Sequence, residues 1–511
     1  MEVMPKYESV ANSERVRLGS SQAIIECKLP VTDNGAVSKI LCASAKSYII
    51  NSASNLNEVE FNGNVNFQVI YEGDDKVASS LDYTAEFKDK FVSDKITPTT
   101  TIIVNSNVVD VNTSTIGNDV KVVAIVEICV DAIELNEINA LVGVDGDSVF
   151  TKTEELTYST FLGILSNKFD LSFDIEVKDN IYKVLEVSLS PFIKKVDNGN
   201  KIATIVGGAN VDICYLINGE APLLKTYQTT IDFSEEVELD GLTEQSCIQS
   251  NLNINYSSVK VTTNIDADNA IVNLNIPFDY LGYAFEFNTT DVITDVFSLS
   301  NHINVATSSI ANLQCGGRFN ETNKVSGFVN IDDVFIDEVL GTCCNTVTLA
   351  TSIIKDNTLI LEGVASTTVI YLNKETQSMY SALVEMPFSI SDNVNNVGDD
   401  FLSNITLSLG EVSCRLKRGS ELEVNATLFV YADFFGKKVD AVITSVEVEE
   451  EKTDNLSVLT IYVVKQNETI WDIAKQLNVS PDDLLNQNPE VLLPLTGGEK
   501  LIVYRQKEVL F

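Results

Sequence analysis

A strand-like segment recurs three times along the chain and constrains its fold more than any other feature. Residues 63–71, 207–215 and 363–371 each begin with glycine and end with tyrosine eight positions later. Small or apolar residues occupy every second position between, which places those side chains on one face of a half-buried β-strand. A polar segment follows each tyrosine and is typical of a hairpin turn. We expect the three tyrosines to pack in the core with their hydroxyl groups at its edge.

The similarity continues after the turn, where Phe87 aligns with Ile231 and more loosely with Val384. A second block of alternating apolar residues recurs at 120–134, 270–280 and 421–433. The repeat length is near 150 residues, so each unit is predicted to be a domain and not one turn of a solenoid. Only short stretches such as residues 156–165 hint at helix.

These patterns predict a mainly β fold with three tandem antiparallel β-sandwich or barrel-like repeats. A chain of 511 residues is too long for one ordinary core, which agrees with several domains. A small module follows the repeats. The predicted boundaries are 1–155, 156–300 and 301–446 for the repeats, 447–457 for an acidic linker and 458–511 for the module.

The charge of the chain disfavours some classes of partner. Asp and Glu number 73 against 35 Lys and Arg, which gives a formal net charge of −38. Because nucleic-acid binding needs a basic surface, we expect no nucleic-acid partner, and an anionic membrane would also be repelled. We expect no membrane insertion, and residues 1–21 lack the apolar core of a signal peptide. The sequence therefore predicts a cytoplasmic protein.

The nine cysteines show no CxxC spacing, and most lie in apolar runs, as Cys42, Cys129 and Cys214 do. Such residues usually behave as small buried hydrophobic side chains in a reducing compartment. The adjacent residues Cys343 and Cys344 are the exception and could be redox-active or bind a metal. No neighbouring ligand in the sequence supports that alternative, so we predict neither a metal site nor a cofactor.

The pattern of residues 458–511 predicts strand, helix, helix and strand. Thr469 is placed to cap the first helix, and Asp472 completes a capping box. Ser480 is placed to cap the second helix, with Pro481 at its first position. The apolar face of the first helix is formed by Ile470, Ile473, Ala474 and Leu477.

This C-terminal segment resembles the LysM domain over residues 462–474 and through Val479-Ser480, Leu484, Asn488-Pro489 and residues 497–503. LysM domains are βααβ modules that bind glycans containing N-acetylglucosamine, including peptidoglycan. The resemblance implies a groove between the loop before the first helix and the loop after the second. Its two sides would be Asn467, Glu468, Thr469 and Ile470, and Asn488, Pro489, Val491 and Leu492. Asn467 and Glu468 replace the Gly-Asp that is common in the family; asparagine tolerates a left-handed turn, and the added bulk lies beside the groove.

The whole arrangement resembles the spore-coat morphogenetic proteins of endospore formers that carry SPOCS domains and end in LysM, the SipL and SpoVID type. That resemblance rests on the order of domains and on the hairpins with their terminal tyrosines. It implies a scaffold of the mother-cell cytoplasm that assembles at the forespore surface. Such a scaffold links coat proteins to a SpoIVA-like basement-layer ATPase, and its LysM region contributes to the contact. The alternatives are a peptidoglycan-binding cell-wall protein and self-association through exposed strand edges of the repeats.

Nothing in the sequence predicts catalysis. His302 is the only histidine, so a Ser-His-Asp or Cys-His arrangement has one candidate base, and its neighbours do not resemble a catalytic loop. No Walker A or GxGxxG motif occurs. Trp471, the only tryptophan, lies one position off the apolar face of its helix. It either packs along the flank of the module or serves as an aromatic anchor for a partner.

Overall fold

The computed structural model describes residues 4–31, 36–117, 119–219, 223–265, 269–332, 334–395, 397–417, 420–452 and 458–504. Almost all of these residues belong to antiparallel β-sheets, which confirms the predicted mainly β class. No helix in these ranges combines the length and the apolar character needed to span a membrane.

The first repeat packs two three-stranded antiparallel sheets against each other. Its strands are β1 (Met4–Leu29), β2 (Val37–Asn55), β3 (Glu58–Gly73), β4 (Ala78–Val92), β5 (Thr101–Ile116) and β6 (Asp119–Asp145). One sheet has the order β1-β6-β5 and the other β2-β3-β4. The core between them combines Phe61 and Phe67 of β3 with Val122 and Ile128 of β6. This is the sandwich form of the predicted repeat.

The second and third repeats have the same plan. The second contains β7 (Val149–Val177), β8 (Ile181–Asn198), β9 (Ile202–Ile217), β10 (Leu223–Glu238), β11 (Cys247–Ile254), the short 3₁₀ helix Tyr256–Ser258, β12 (Lys260–Ile265) and β13 (Ala270–Ser298). The third contains β14 (Asn301–Asn330), β15 (Ile336–Lys355), β16 (Thr358–Asn373), β17 (Met379–Asn393), β18 (Leu402–Lys417) and β19 (Glu421–Glu451). In the second repeat β11 and β12 together take the place that β5 and β18 occupy in the others.

The two recurring sequence blocks form the central strands of the two sheets. The segments that end in tyrosine lie in β3, β9 and β16, and each pairs with the next strand as the predicted hairpin. Their tyrosines, Tyr71, Tyr215 and Tyr371, are buried as predicted. The second block lies in β6, β13 and β19, where residues such as Val122 and Val272 are fully buried at an interval of 150 residues.

The glycine at the start of each recurring segment faces a phenylalanine on the paired strand. The three pairs are Gly63–Phe87, Gly207–Phe233 and Gly363–Phe388. A Cβ atom at Gly63 would lie 2.7 Å from Phe87 Cζ, so only glycine leaves room for the ring. The alignment of Phe87 with Ile231 and Val384 is therefore wrong. The turns of the second and third repeats are longer, so Phe233 and Phe388 are the equivalents.

Two other segments differ from the sequence-based expectation. Residues 156–165 are not helical but lie in β7, because that strand pairs with β13 over nearly its whole length. Long-range pairing here overrides a weak local helix preference. The predicted boundary at residue 155 therefore falls inside β7. The acidic segment 447–457 begins inside β19, which pairs with β14 as far as Glu451, while residues 453–457 lie outside the described residues.

The three repeats contact one another around shared apolar clusters. We call the cluster where β2–β4, β8–β10 and β15–β17 meet the central junction. Its buried members are Leu41, Cys42, Ile70, Ala78, Leu185, Cys214, Leu216, Leu224, Leu340, Cys343, Ile370 and Met379. A second shared cluster joins Val10 and Ala140 of the first repeat to buried residues of β7, β13, β14 and β19. Each repeat therefore packs on both of the others.

The cysteines follow the prediction only in part. Cys42 and Cys214 are buried and Cys129 is half-buried, as expected of small hydrophobic side chains. Cys247 of β11 and Cys315 of β14, however, form a disulfide that links the second repeat to the third, with their Cα atoms 6.3 Å apart. Sequence spacing gave no sign of this pair because the two residues are 68 positions apart.

Candidate binding site

The C-terminal module has the predicted βααβ order. Its elements are β20 (Leu459–Val463), α1 (Ile470–Leu477), α2 (Pro481–Asn486) and β21 (Lys500–Tyr504). The strands β20 and β21 pair antiparallel, with Ile461 opposite Ile502. Ile473, Ala474 and Leu484 of the helices are buried against the sheet. The helices therefore cover one face of a two-stranded sheet.

Local signals fix both helix starts. The Thr469 side chain accepts a hydrogen bond from the Asp472 backbone N–H, and the Asp472 carboxylate accepts one from the Thr469 N–H at 2.9 Å. This is the predicted capping box. Ser480 accepts from the Asp483 N–H at 2.9 Å, and Pro481 takes the first helical position. α1 ends at Asn478, which adopts the left-handed conformation common after helices.

The first side of the predicted groove is a tight turn held by its own side chains. Asn467 has a φ of 66°, so it takes the left-handed conformation that its side chain tolerates. Glu468 accepts hydrogen bonds from the Tyr462 hydroxyl at 2.8 Å and from the Lys465 N–H at 2.8 Å. Thr469 caps α1, and Ile470 packs on the module core. Glu468 and Thr469 thus have internal roles that hold the turn.

The second side contains one structural residue and several exposed ones. Asn488 is buried: its amide donates to the carbonyl groups of Leu484 and Ile502, and its oxygen accepts from the Ile502 N–H at 2.7 Å. It fastens α2 to β21. Pro489 is exposed, Val491 packs on the module core, and Leu492 is 84% exposed. Leu492 therefore presents the largest free apolar surface among the predicted groove residues.

Trp471 lies against the second repeat. Its indole Nε1–H donates to Asp295 Oδ2 at 2.8 Å, and its ring meets Phe297 edge-on with centroids 5.1 Å apart. Lys475, one turn further along α1, donates to the other oxygen of Asp295 at 2.6 Å. A β-bulge at the preceding residue, between Ile293 and Asp295, interrupts the strand just before this contact. Both alternatives proposed for Trp471 overlooked this contact within the chain.

Two further residues hold the module to the repeats. The Asn478 amide donates to the Leu299 carbonyl at 2.9 Å. Lys452, directly after β19, donates to the Ser298 carbonyl at 2.6 Å and to Asn478 Oδ1 at 2.7 Å. The end of the third repeat, the turn after β13 and the end of α1 therefore meet at one place. Trp471 and Asp295 are 176 positions apart, so no local pattern could have revealed the contact.

Glu499 and Asp472 of the module are stabilised as carboxylates. Glu499 Oε1 accepts two hydrogen bonds from Thr496, one from its N–H at 2.8 Å and one from its hydroxyl at 2.7 Å. These bonds lower the pKa of Glu499 to about 2. The backbone and hydroxyl of Thr469 lower the pKa of Asp472. Hydrogen bonds to the charged form favour it, so both groups stabilise the module when ionised.

The fold and the site together define a class: repeated β-sandwich domains that carry a small C-terminal binding module. Comparison with family models agrees. Residues 462–491 match the LysM domain, and residues 180–262, which cover most of β8–β12, match the domain described as "SipL, SPOCS domain". The chain thus combines a SipL-type SPOCS domain with a LysM domain, as the sequence resemblance indicated. Searches of curated proteins and of solved structures gave no significant match.

Both matched domains are of non-catalytic, binding types. They fit a sporulation coat-related protein with a module of the peptidoglycan-binding kind. His302 lies exposed on β14.

Proposed function

We propose that the chain is a non-enzymatic scaffold of the spore coat, acting at the forespore surface in the mother-cell cytoplasm. It links coat proteins to the SpoIVA-like basement-layer ATPase, and its LysM module makes the contact with the ATPase. The observation that carries this proposal is the occurrence of a SipL-type SPOCS domain and a C-terminal LysM domain in one chain.

The geometry of the module supports a protein partner over a glycan. Glu468 and Asn488, the polar groove residues best suited to hydrogen-bond a sugar, are already engaged within the module. The loop after α2 instead presents Leu492 and Leu493, exposed by 84% and 59%. Exposed apolar side chains at a loop tip suit burial in a pocket of a protein partner. The repeats, which pack on one another, provide a stable base from which the module projects this loop.

Peptidoglycan binding is the alternative function, because it is the activity that the LysM match suggests. Asn467 and Pro489 are exposed on the two predicted groove loops and remain available to a glycan. The two functions make different demands on Leu492, since a protein pocket needs its apolar surface and a sugar is bound mainly by hydrogen bonds.

The test is a binding assay of the full chain against two targets in parallel, the purified ATPase and purified peptidoglycan. Leu492→Glu places a charge on the exposed loop, and Leu402→Glu, at a residue of β18 that is 75% exposed, is the matched control. We expect the wild type and the control to bind the ATPase. Leu492→Glu is expected to bind at least roughly tenfold more weakly, as for an interface hot spot.

The outcomes separate the two functions. Equal ATPase binding by both variants would show that this loop is not the contact surface. Binding to peptidoglycan alone would overturn the scaffold proposal and favour the glycan-binding function. Trp471 fluorescence, which reports on the folded and docked module, checks that Leu492→Glu has not unfolded it.

A further inference from the structure

Three cysteine sulfur atoms converge at the central junction. Cys42 of β2 comes from the first repeat, and Cys343 and Cys344 of β15 come from the third. Their sulfur atoms all lie within 4.8 Å of one another, and those of Cys42 and Cys343 are 2.9 Å apart. We call these three residues the thiol cluster. It lies far from the LysM module in sequence and has no part in the proposed docking.

The backbone of β15 is distorted in a way that brings the adjacent thiols together. Neighbouring residues on a regular strand point to opposite faces of the sheet. Cys343 pairs with Thr368, but the next pair is Thr346 with Ser366, so two residues of β15 face the single residue Thr367. This is a β-bulge, and bulges re-aim side chains.

Cys344 in this bulge has a φ of 53°, in the left-handed region that a non-glycine residue rarely adopts. Such a conformation costs free energy and persists only where the surroundings enforce it. Asn345, next in the bulge, accepts a hydrogen bond from Thr367 at 2.7 Å, which helps to hold it. A strained backbone that gathers thiols suggests a site and not chance packing.

Polar side chains lie near the thiol cluster. Lys46 lies on β2, on the same strand as Cys42. Ser44, between them on β2, donates a hydrogen bond to Glu186 of the second repeat at 2.8 Å. All three repeats therefore contribute polar groups to this otherwise apolar junction. A bound cation would neutralise part of the negative charge of three thiolates.

We propose that the thiol cluster binds one soft, thiophilic metal ion with a filled d shell, Cu⁺ or Zn²⁺, and so fastens the first repeat to the third. Thiolate ligands select these ions over the hard cations Mg²⁺ and Ca²⁺. Among the described residues, no fourth cysteine, histidine or carboxylate joins the group. Zn²⁺ in structural sites takes four ligands, so three thiolates alone suit Cu⁺ better, and Zn²⁺ would need water as its fourth ligand.

Binding leaves the oxidation states unchanged. Each thiol loses its proton to the solvent as its sulfur forms a bond to the metal, so one ion releases up to three protons. The ion should bind the assembled repeats more tightly than the unfolded chain, because Cys42 and Cys343 are 301 positions apart and meet only on folding, so binding stabilises the fold.

The test uses the full chain, purified and titrated under argon without added reductant so that the Cys247–Cys315 disulfide is kept, with Cu⁺ and Zn²⁺ in separate titrations. We expect one ion per chain and a rise in the thermal unfolding temperature. Cys42→Ala, Cys343→Ala and Cys344→Ala should each weaken binding by roughly a hundredfold or more, since even outer-shell substitutions cost about 10–100-fold. Cys414→Ala, at a free half-buried cysteine of β18 outside the cluster, is the control and should bind normally.

X-ray absorption of the metal-loaded wild type needs no substitution and guards against variants that fail to fold. Three sulfur neighbours at about 2.3 Å would support the site. Absence of stoichiometric binding, equal loss in Cys414→Ala, or a metal surrounded by nitrogen and oxygen would overturn the proposal. So would conversion of Cys42 and Cys343 into a disulfide in place of metal uptake. None of these results bears on ATPase binding, so the two proposals stand or fall separately.

Discussion

The first glycine of each recurring segment lies close to a backbone carbonyl oxygen and to a phenylalanine ring, so a larger residue does not fit there. At Gly63, a Cβ atom would lie 2.6 Å from the backbone oxygen of Tyr48 and 2.7 Å from the Phe87 ring. The backbone oxygen cannot move without disturbing the pairing of β2 with β3. The same close contacts recur at Gly207 and Gly363, so they are a common feature of the three repeats.

We predict that Gly63→Ala destabilises the protein by about 1–3 kcal/mol, the usual cost of overpacking. The control is Gly143→Ala on β6, where the added Cβ would make an ordinary contact of 3.4 Å with Lys6. That change should alter stability by no more than about 0.5 kcal/mol. Urea unfolding followed by circular dichroism measures both. Equal effects of the two substitutions would show that the close approach at Gly63 is not limiting.

Residues with a local signal could be predicted from the sequence, and residues defined by distant contacts could not. The capping residues Thr469 and Ser480 and the buried Tyr71 follow from short-range patterns. Cys42 and Cys343 are 301 positions apart, and their meeting depends on how two repeats pack. The alignment of Phe87 failed for a similar reason, because turn length changes freely while strand pairing is preserved.

At the scale of elements, strand periodicity was sufficient to predict the central strands and their hairpins. A period of two in the sequence is unambiguous where one face of a central strand is buried and the other is less buried, as in β3 and β6. It is weak in the long outer strands β1, β7 and β14, whose burial alternates less regularly. This explains why residues 156–165 gave a helical hint although β7 is fully paired with β13.

The C-terminal module should lose stability in acid. The pKa of Glu499 in the folded state is about 2, below its ordinary value of 4.5. Between these two pH values the folded state therefore binds fewer protons than the unfolded state. The contribution of this group is therefore complete above about pH 4.5 and is lost as the pH falls toward 2. The lowered pKa of Asp472 acts in the same direction.

We predict that Glu499→Gln lowers the unfolding temperature of the module at neutral pH and reduces its dependence on acid. Fluorescence of Trp471, the only tryptophan, follows the module and its contact with the second repeat within the full chain. The control is Glu490→Gln, at an exposed residue of the loop after α2. It should keep the acid dependence of the wild type. Identical acid curves for all three proteins would mean that the Thr496 hydrogen bonds to Glu499 contribute nothing.

At the scale of the whole molecule, the carboxylate of Asp295 contributes two of the polar contacts between the module and the repeats, beside those of Asn478 and Lys452. Asp295 accepts from both Trp471 and Lys475, and Phe297 beside it packs on the indole ring. Capping, the β20–β21 pairing and the burial of Ile473 hold the module together without this contact. Phe297, Phe150 and Leu299 pack on the same apolar cluster as Ile473, so the module core continues into the second repeat. Removing only the polar contact at Asp295 should therefore weaken the attachment more than the fold of the module.

We predict that Asp295→Ala loosens the attachment of the module, so that Trp471 emits at longer wavelength and is quenched more strongly by acrylamide. The control is Asp291→Ala, an exposed residue of the same strand, which should leave both signals unchanged. Unaltered quenching in Asp295→Ala would contradict this role. Leu492 is already exposed in the docked arrangement, so release is not needed to free it. ATPase binding through that loop should therefore persist in Asp295→Ala, whereas binding that uses the indole of Trp471 should become stronger.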